Sequence, residues 1–399
     1  MKDNPARRQA CVFRGANFTD YVNLCGVVFA PIAPIGITIH SLFRGVITSR
    51  CPEMNSGTRS RRKLCLAILA AAAVSACSRG PDSTKTAADQ AAPQGPEPLK
   101  VGFQLDWYPA AEHGGHFQAV AKGYYRDAGL DVAILPGGPG AHGLVKVATG
   151  RADFAMGRCD DVILAVRQGL PLLIVCAQMQ HDPQAIMLHE ASPVRSFRDL
   201  DGRSVMCDIG EGWIKFIEVR YAMTFNKIPM DYGLAQFMGD KNFIQQCFIT
   251  NEPYIAARQG VRTRSLLIAD GGYDPYRVIY TSHAFAQSHP AAVRAFVAAT
   301  IRGYRDFLYG DSSGARGTIQ AENPTETPGV IDFSIAAMKK YRLVEGDPAK
   351  GEGIGLITPA RMTAMLQTLV QLNLLDAAIP LERFVSFDFL PVGAAAQKG

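Results

Sequence analysis

The sequence predicts an α/β fold made of two lobes, and three observations lead there. Leu99, Val101, Phe103 and Leu105 alternate with Lys100, Gly102 and Gln104, the period-two pattern of a strand. A polar connection, a helical pattern over 116–127 and a second strand over 130–135 complete a βαβ unit. The same design returns further on, where a strand over 204–208 runs into a small flexible loop and then into charged and aromatic residues at a helix start. A chain of 399 residues has room for two lobes at the usual ~100–200 residues per domain.

In the first lobe, Pro109 stops the opening strand and leaves Asp106, Trp107, Tyr108, Glu112, His113 and His116 on the connection that follows. That is the carboxyl end of a strand, where open α/β sheets bind ligands. Phe117, Val120, Ala121, Tyr124 and Tyr125 keep helical spacing, and Gly129 ends the pattern. Glycines at 137, 138 and 140 form a turn before a helix over 141–148. A compact strand over 152–157 leads to Asp160 and Asp161 at the head of an apolar helix. Asp160 is placed to cap that helix. Residues 172–178 read as a further strand, and 185–189 as the segment that leaves the lobe.

The second lobe opens at Ser196, which stands three residues before Asp199 as a cap for a short helical turn, with Gly202 making the bend. The strand over 204–208 then delivers Glu211 and Trp213 to the start of an amphipathic helix reaching about residue 225. Residues 234–238 and 243–249 continue the lobe. Glu252 precedes Pro253 and Tyr254 at another helix start, a place that suits a carboxylate for the helix dipole alone. After a strand over 266–269 and a turn over 273–276, residues 278–281 return the chain to the first lobe. Two crossings make a hinge. The remainder reads as helices over 289–310, 323–340 and 358–372, with Met362 and Met365 as core filler in the last.

Residues 1–53 fit poorly with the rest: an uncharged run over 21–43 is long enough to span a bilayer, but Pro31 and Pro34 interrupt it. From Met54 the chain reads as a fresh amino terminus, with Arg59, Arg61, Arg62 and Lys63 ahead of an apolar core over 64–74. Val74, Ser75, Ala76 and Cys77 resemble the lipobox of bacterial lipoproteins, which implies that Cys77 is lipidated. Residues 1–53 are then an over-extended start, 54–76 a lipoprotein signal peptide, and 77–98, rich in Pro, Ala, Ser and charge, a flexible tether.

The segments LDWYP (105–109), His113, AKGYY (121–125) and GLDV (129–132) resemble the start of the NMT1/THI5-like family of solute-binding proteins. GRADFAMG (150–157) and EPYIA (252–256) are similar to later segments of the same receptors. Relatives include periplasmic receptors for thiamine-pyrimidine precursors and, more distantly, receptors for nitrate, sulfonate and taurine. The resemblance implies a two-lobed periplasmic-binding-protein type II fold with a hinge, lobe 1 from 99–189 and 280–395 and lobe 2 from 190–279. It implies a lipid-anchored periplasmic receptor of an ABC importer, a monomer, working with a membrane permease and an ATPase on a separate chain. The family also holds single-turnover thiamine-pyrimidine synthases, which consume a histidine at the place His113 matches; the cysteine cluster they use is absent.

Several chemistries are disfavoured by the residues themselves. No P-loop is present, and nine cysteines include no CxxC pair. His113 and His116 stand three apart with glycines between, short of the spacing of a zinc helix. A net charge of +5 with no basic patch interleaved with aromatics gives no reason to expect nucleic acid. Binding without catalysis or cofactor is expected. Trp107, Tyr108, His113, Trp213 and Tyr254 supply rings for a flat nitrogen heterocycle, and Asp106, Glu211 and Glu252 supply groups for its amines and ring nitrogens; the resemblance adds Asp160, whose loop faces the ligand in those receptors. Either tryptophan could instead serve lobe packing. An oxyanion receptor would want arginine, hydroxyls and free amides at these loops, so a nitrate- or sulfonate-type ligand is the alternative.

Overall fold

A computed structural model describes residues 97–391. The expected over-extended start, signal peptide, lipidation site Cys77 and nearly all of the tether lie outside the described residues. In chain order the elements are β1 (Leu99–Gln104), α1 (Gly114–Ala121), α2 (Tyr124–Asp127), β2 (Leu130–Leu135), α3 (Gly143–Ala148), β3 (Phe154–Arg158), α4 (Cys159–Arg167) and β4 (Leu172–Met179). Then come β5 (Gln184–His189), β6 (Ser204–Cys207), α5 (Gly212–Tyr221), β7 (Asn226–Pro229), α6 (Ala235–Gly239), β8 (Gln245–Phe248), α7 (Glu252–Arg258) and β9 (Thr263–Leu267). The chain ends with β10 (Arg277–Ser282), α8 (His283–Ser288), α9 (Pro290–Tyr309), α10 (Ser313–Glu322), α11 (Pro328–Lys340) and α12 (Pro359–Gln371).

Two five-stranded sheets share one topology. The first runs β2-β1-β3-β10-β4 and the second β7-β6-β8-β5-β9. In each, three parallel strands are followed by one antiparallel strand that has just arrived from the other sheet: β10 beside β3 and β4, β5 beside β8 and β9. The chain crosses between sheets at 180–183 and 268–276. This corrects the expected lobe boundary at 189/190, because Ala185–Leu188 pair in the second sheet. A short apolar run buried on both faces carries no sign of which sheet it joins. Residues 277–279 likewise belong to the first sheet.

The expected helix over 116–127 is two helices. Gly123 adopts φ 73° and breaks the ladder between α1 and α2. The turn lets Tyr125 fold back onto Phe296 of α9, ring centroids 5.0 Å apart, inside a stack that also holds Phe154 at 4.1 Å from Phe296. α1 and α9 approach closely enough that a Cβ on Gly303 would overlap the Gly115 carbonyl. His116 points into this core, fully buried, with Nδ1 3.1 Å from the Tyr125 hydroxyl; burial holds its pKa well below the ordinary value. A second, smaller core of Ala185, Met187, Phe237 and Cys247 sits under the second sheet. Cys159, Cys176, Cys207 and Cys247 are all buried and unpaired. Among the described residues no helix is long and apolar enough to cross a membrane.

Candidate functional site

The shared topology places the site. Carboxyl ends of the parallel strands and amino ends of the antiparallel ones fall on the same side, so Asp106 follows β1, Arg158 ends β3 and Arg277 begins β10. From the second sheet come Gln184 at the start of β5, Glu211 after β6 and Gln246 in β8. Arg277 is the register partner of Arg158. Two buried arginines therefore lie side by side on the floor between the lobes.

Carboxylates face both of them. Arg158 reaches Glu211 at 2.5 Å, Asp161 at 3.1 Å and Asp160 at 3.4 Å. Arg277 bonds Asp106 and stands 3.7 Å from Asp182, with its guanidinium 5.3 Å from the Phe248 ring of the second lobe. Burial works against ionising Asp106, yet Arg277 and His113 hold its pKa well below the usual carboxylate range. Asp182 has weaker support, and burial pushes it up to about 6.

His113 is buried and fully engaged. Its Nδ1 accepts the Ala110 N–H at 3.1 Å, which leaves the proton on Nε2, facing Asp106 at 3.2 Å. Glu211 is equally occupied: Gln184, Gln246 and the Trp213 indole N–H, the last at 2.6 Å, all donate to it besides Arg158. Burial raises its pKa and the Arg158 charge opposes the rise. Glu211 ties the two lobes together and has its acceptor positions filled.

Trp213 has no exposed surface and stacks on Phe225 at 6.1 Å. It is a core residue of the second lobe rather than a ring lining the cleft. The signal was present: Trp213, Ile214 and Ile217 share the buried face of α5 at helical spacing. Asp160 makes no cap, because α4 starts at Cys159 directly after β3 and Arg158 holds the cap position. Its carboxylate takes the Tyr273 hydroxyl at 2.5 Å instead.

Glu252 and Tyr254 lie on a separate seam. Tyr254 packs on Phe333 of α11 at 5.3 Å, and Glu252 accepts the Phe248 N–H at 2.9 Å. Glu112, whose carboxylate accepts the Thr250 hydroxyl, and Glu326, which accepts the Ala111 N–H at 3.3 Å, complete the seam. Burial with repulsion from Glu112 pushes Glu252 up to about 7 and Glu326 up to about 8. A carboxyl whose folded pKa exceeds its unfolded one binds protons on folding, so stability falls as pH rises from the unfolded value through the folded one. Glu326→Gln keeps the acceptor without the charge and should be about 1–2 kcal/mol more stable than the parent at pH 8.5, with the gap vanishing near pH 4. Urea unfolding at both values checks this.

Three rings remain open to the cleft. Trp107 is half-buried, Tyr108 is 51% exposed, and Tyr232, from the loop between β7 and α6, is 55% exposed. Trp107 meets Tyr108 edge-on at 5.4 Å and Tyr232 of the opposite lobe at 5.0 Å. Gly137 fixes the first-lobe loop, because a Cβ there would come within 2.6 Å of the Trp107 nitrogen and 2.5 Å of the Leu105 oxygen. Sequence reasoning missed Tyr232, Arg158, Arg277 and Asp182. Tyr232 carried a legible sign, an aromatic between Asp231 and Gly233 on a strand-to-helix loop. The arginines carried none.

Two like-built lobes, a double-crossing hinge and a polar cleft between them define a two-lobed solute-binding fold of type II. The chain belongs to the NMT1/THI5 like family, whose model matches residues 110–309. It is 30% identical over 261 residues to the riboflavin-binding protein RibY of Chloroflexus aurantiacus, covering 62% of this chain and 74% of that one. It is 25% identical over 232 residues to the formylaminopyrimidine-binding protein of Halalkalibacterium halodurans, covering 55% and 68%. The crystal structure of the periplasmic aliphatic sulphonate binding protein SsuA from Escherichia coli shares the fold with a TM-score of 0.56 at 16% identity, over 73% of this chain and 92% of that one.

Proposed function

We propose that the protein is the extracytoplasmic solute-binding receptor of an ABC importer and captures a small nitrogen heterocycle, a pyrimidine or a flavin, between its two lobes. One observation carries the choice of ligand. Both buried arginines of the cleft are already faced by carboxylates, five against two, so neither is free for a nitrate or a sulfonate. The open groups are rings and carboxylate edges, Trp107, Tyr108, Tyr232, Asp106 and Asp161, which suit a flat ligand bearing amines. The two receptor relatives, named for a flavin and a pyrimidine, support the same class.

In this reading His113, Asp160 and Glu211 hold the floor, Trp213 fills the second lobe, and Glu252 and Tyr254 stand behind the cleft. The full bonding of His113 favours binding over a reaction that consumes it. Closure of the lobes forms the surface that a separate permease reads, while Cys77 carries the lipid anchor at the periplasmic face, behind the tether, on a monomer. A thermal-shift panel on the full chain tests the ligand class. A rise with riboflavin or an aminopyrimidine, ~2.7 kcal/mol at a hundred times the dissociation constant, is expected. A rise with nitrate or alkyl sulfonates alone overturns it.

A further inference from the structure

The hinge carries a side-chain network that the cleft does not use. His181 lies on the first crossing and Asp274 on the second, with Nδ1 2.7 Å from the Asp274 carboxylate. The other ring nitrogen, Nε2, is 3.2 Å from Glu352, in the loop ahead of α12. Arg361 in α12 bonds the same two carboxylates, Asp274 at 2.9 Å and Glu352 at 3.1 Å, and lies over the Tyr276 ring at 3.9 Å. The backbone repeats the pattern. Asp182 N–H donates to Asp274 at 3.0 Å, His181 N–H donates to the Leu343 carbonyl at 3.1 Å, and the Gln180 side chain donates to the Gly353 and Leu356 carbonyls, each at 2.7 Å. Residues 343–361 thus form a third strap that holds both crossings.

We propose that His181 is a proton-dependent clasp of this hinge: with both ring nitrogens protonated it joins the two crossings to the strap, and loss of one proton gives up one of its two links and loosens the hinge that the remaining bonds hold.

A neutral imidazole has one N–H and one lone pair, so it can donate to Asp274 or to Glu352 and turns its lone pair toward the other carboxylate. The imidazolium donates to both. The charges around the ring are Asp274 from the second crossing, Glu352 from the strap and Arg361 from α12; Asp182, next in the chain, is turned toward Arg277, while Asp347 and its partner Arg342 lie behind Glu352. The Asp274 hydrogen bond raises the pKa of His181 against the lowering effects of burial and Arg361. A histidine raised in the folded state contributes stability that is fully present below its unfolded pKa and is lost as pH rises through the folded value. The hinge is therefore held most tightly below the unfolded pKa of histidine and loosens as pH rises through the raised folded value. Lobe rotation through two crossing segments is what lets a two-lobed protein open, so the clasp sets how readily this one does.

The experiment uses the full chain without ligand, which separates it from any question of what the cleft binds. Amide hydrogen exchange of residues 180–183 and 272–276, corrected for the intrinsic pH dependence, is followed from pH 5.5 to 8.5. Protection should fall several-fold across that range in the parent, while β1 and β3 stay unchanged. His181→Gln should show the lower protection at every pH, and the melting-temperature gap between parent and variant, present at pH 5.5, should narrow steadily as pH rises to 8.5. A gap that stays constant with pH, or hinge protection in the parent that does not move, overturns the proposal. If His181→Gln does not fold, the parent exchange profile decides alone.

Discussion

Arg158→Met should lower the unfolding free energy by about 3–5 kcal/mol, the cost of removing one partner from a buried ion pair. Arg158 is 4% exposed and is the cation closest to three carboxylates, Asp160, Asp161 and Glu211. Methionine fills similar space and leaves those charges facing one another, Asp160 and Glu211 among them largely buried. For a chain of this size the loss corresponds to a fall in Tm on the order of 10 °C. Arg158→Lys keeps the charge but cannot reach three partners with one nitrogen, and should lose roughly 1–2 kcal/mol. The sign of the pH dependence separates this from simple loss of packing. Glu211 and Asp161 already have raised pKa values, so in acid they protonate and the penalty in Arg158→Met should shrink. Urea denaturation at pH 4.5 and 7.5 makes the comparison. An equal deficit at both would assign Arg158 to packing rather than to charge.

Much of the fold was legible because it rests on local periodicity. The alternation of Leu99, Val101 and Phe103 marked β1, and the stripe from Val293 to Leu308 marked α9, since each pattern faces a core that its own neighbours form. What was not legible depends on partners far apart in sequence. Nothing in QAIMLH says that it pairs with residues 245–248 and 263–267 rather than with the first sheet. Glu211 looks free in sequence and is held by residues at 158, 184 and 246. Asp106, Trp107 and Tyr108 follow a strand end directly, so backbone geometry alone sets the side of the first sheet on which their loop lies. Trp213 was misread for the converse reason: its place inside a helix put it on the buried face, and helix periodicity outweighs proximity to a strand end.

Trp107→Ala should weaken heterocycle binding by ~1–3 kcal/mol, roughly 5- to 150-fold, as loss of an aromatic anchor does. The ring is half-buried without ligand and meets the rings of Tyr108 of its own lobe and Tyr232 of the other. Its removal therefore takes little from either core, and the loss in stability should be smaller than the loss in affinity. Tyr232→Ala should act in the same direction, and the two changes together should cost less than their sum, because both rings border the same space. Intrinsic fluorescence gives a direct reading, since the chain holds two tryptophans and Trp213 is sealed in the second lobe. Titration of the parent with riboflavin or an aminopyrimidine should change the Trp107 emission, and Trp107→Phe should abolish that change while retaining measurable affinity. Trp213→Phe should leave the ligand response in place. If the response follows Trp213 instead, or if affinity and melting temperature fall together in Trp107→Ala, Trp107 is a packing residue and the ligand sits elsewhere on the cleft floor.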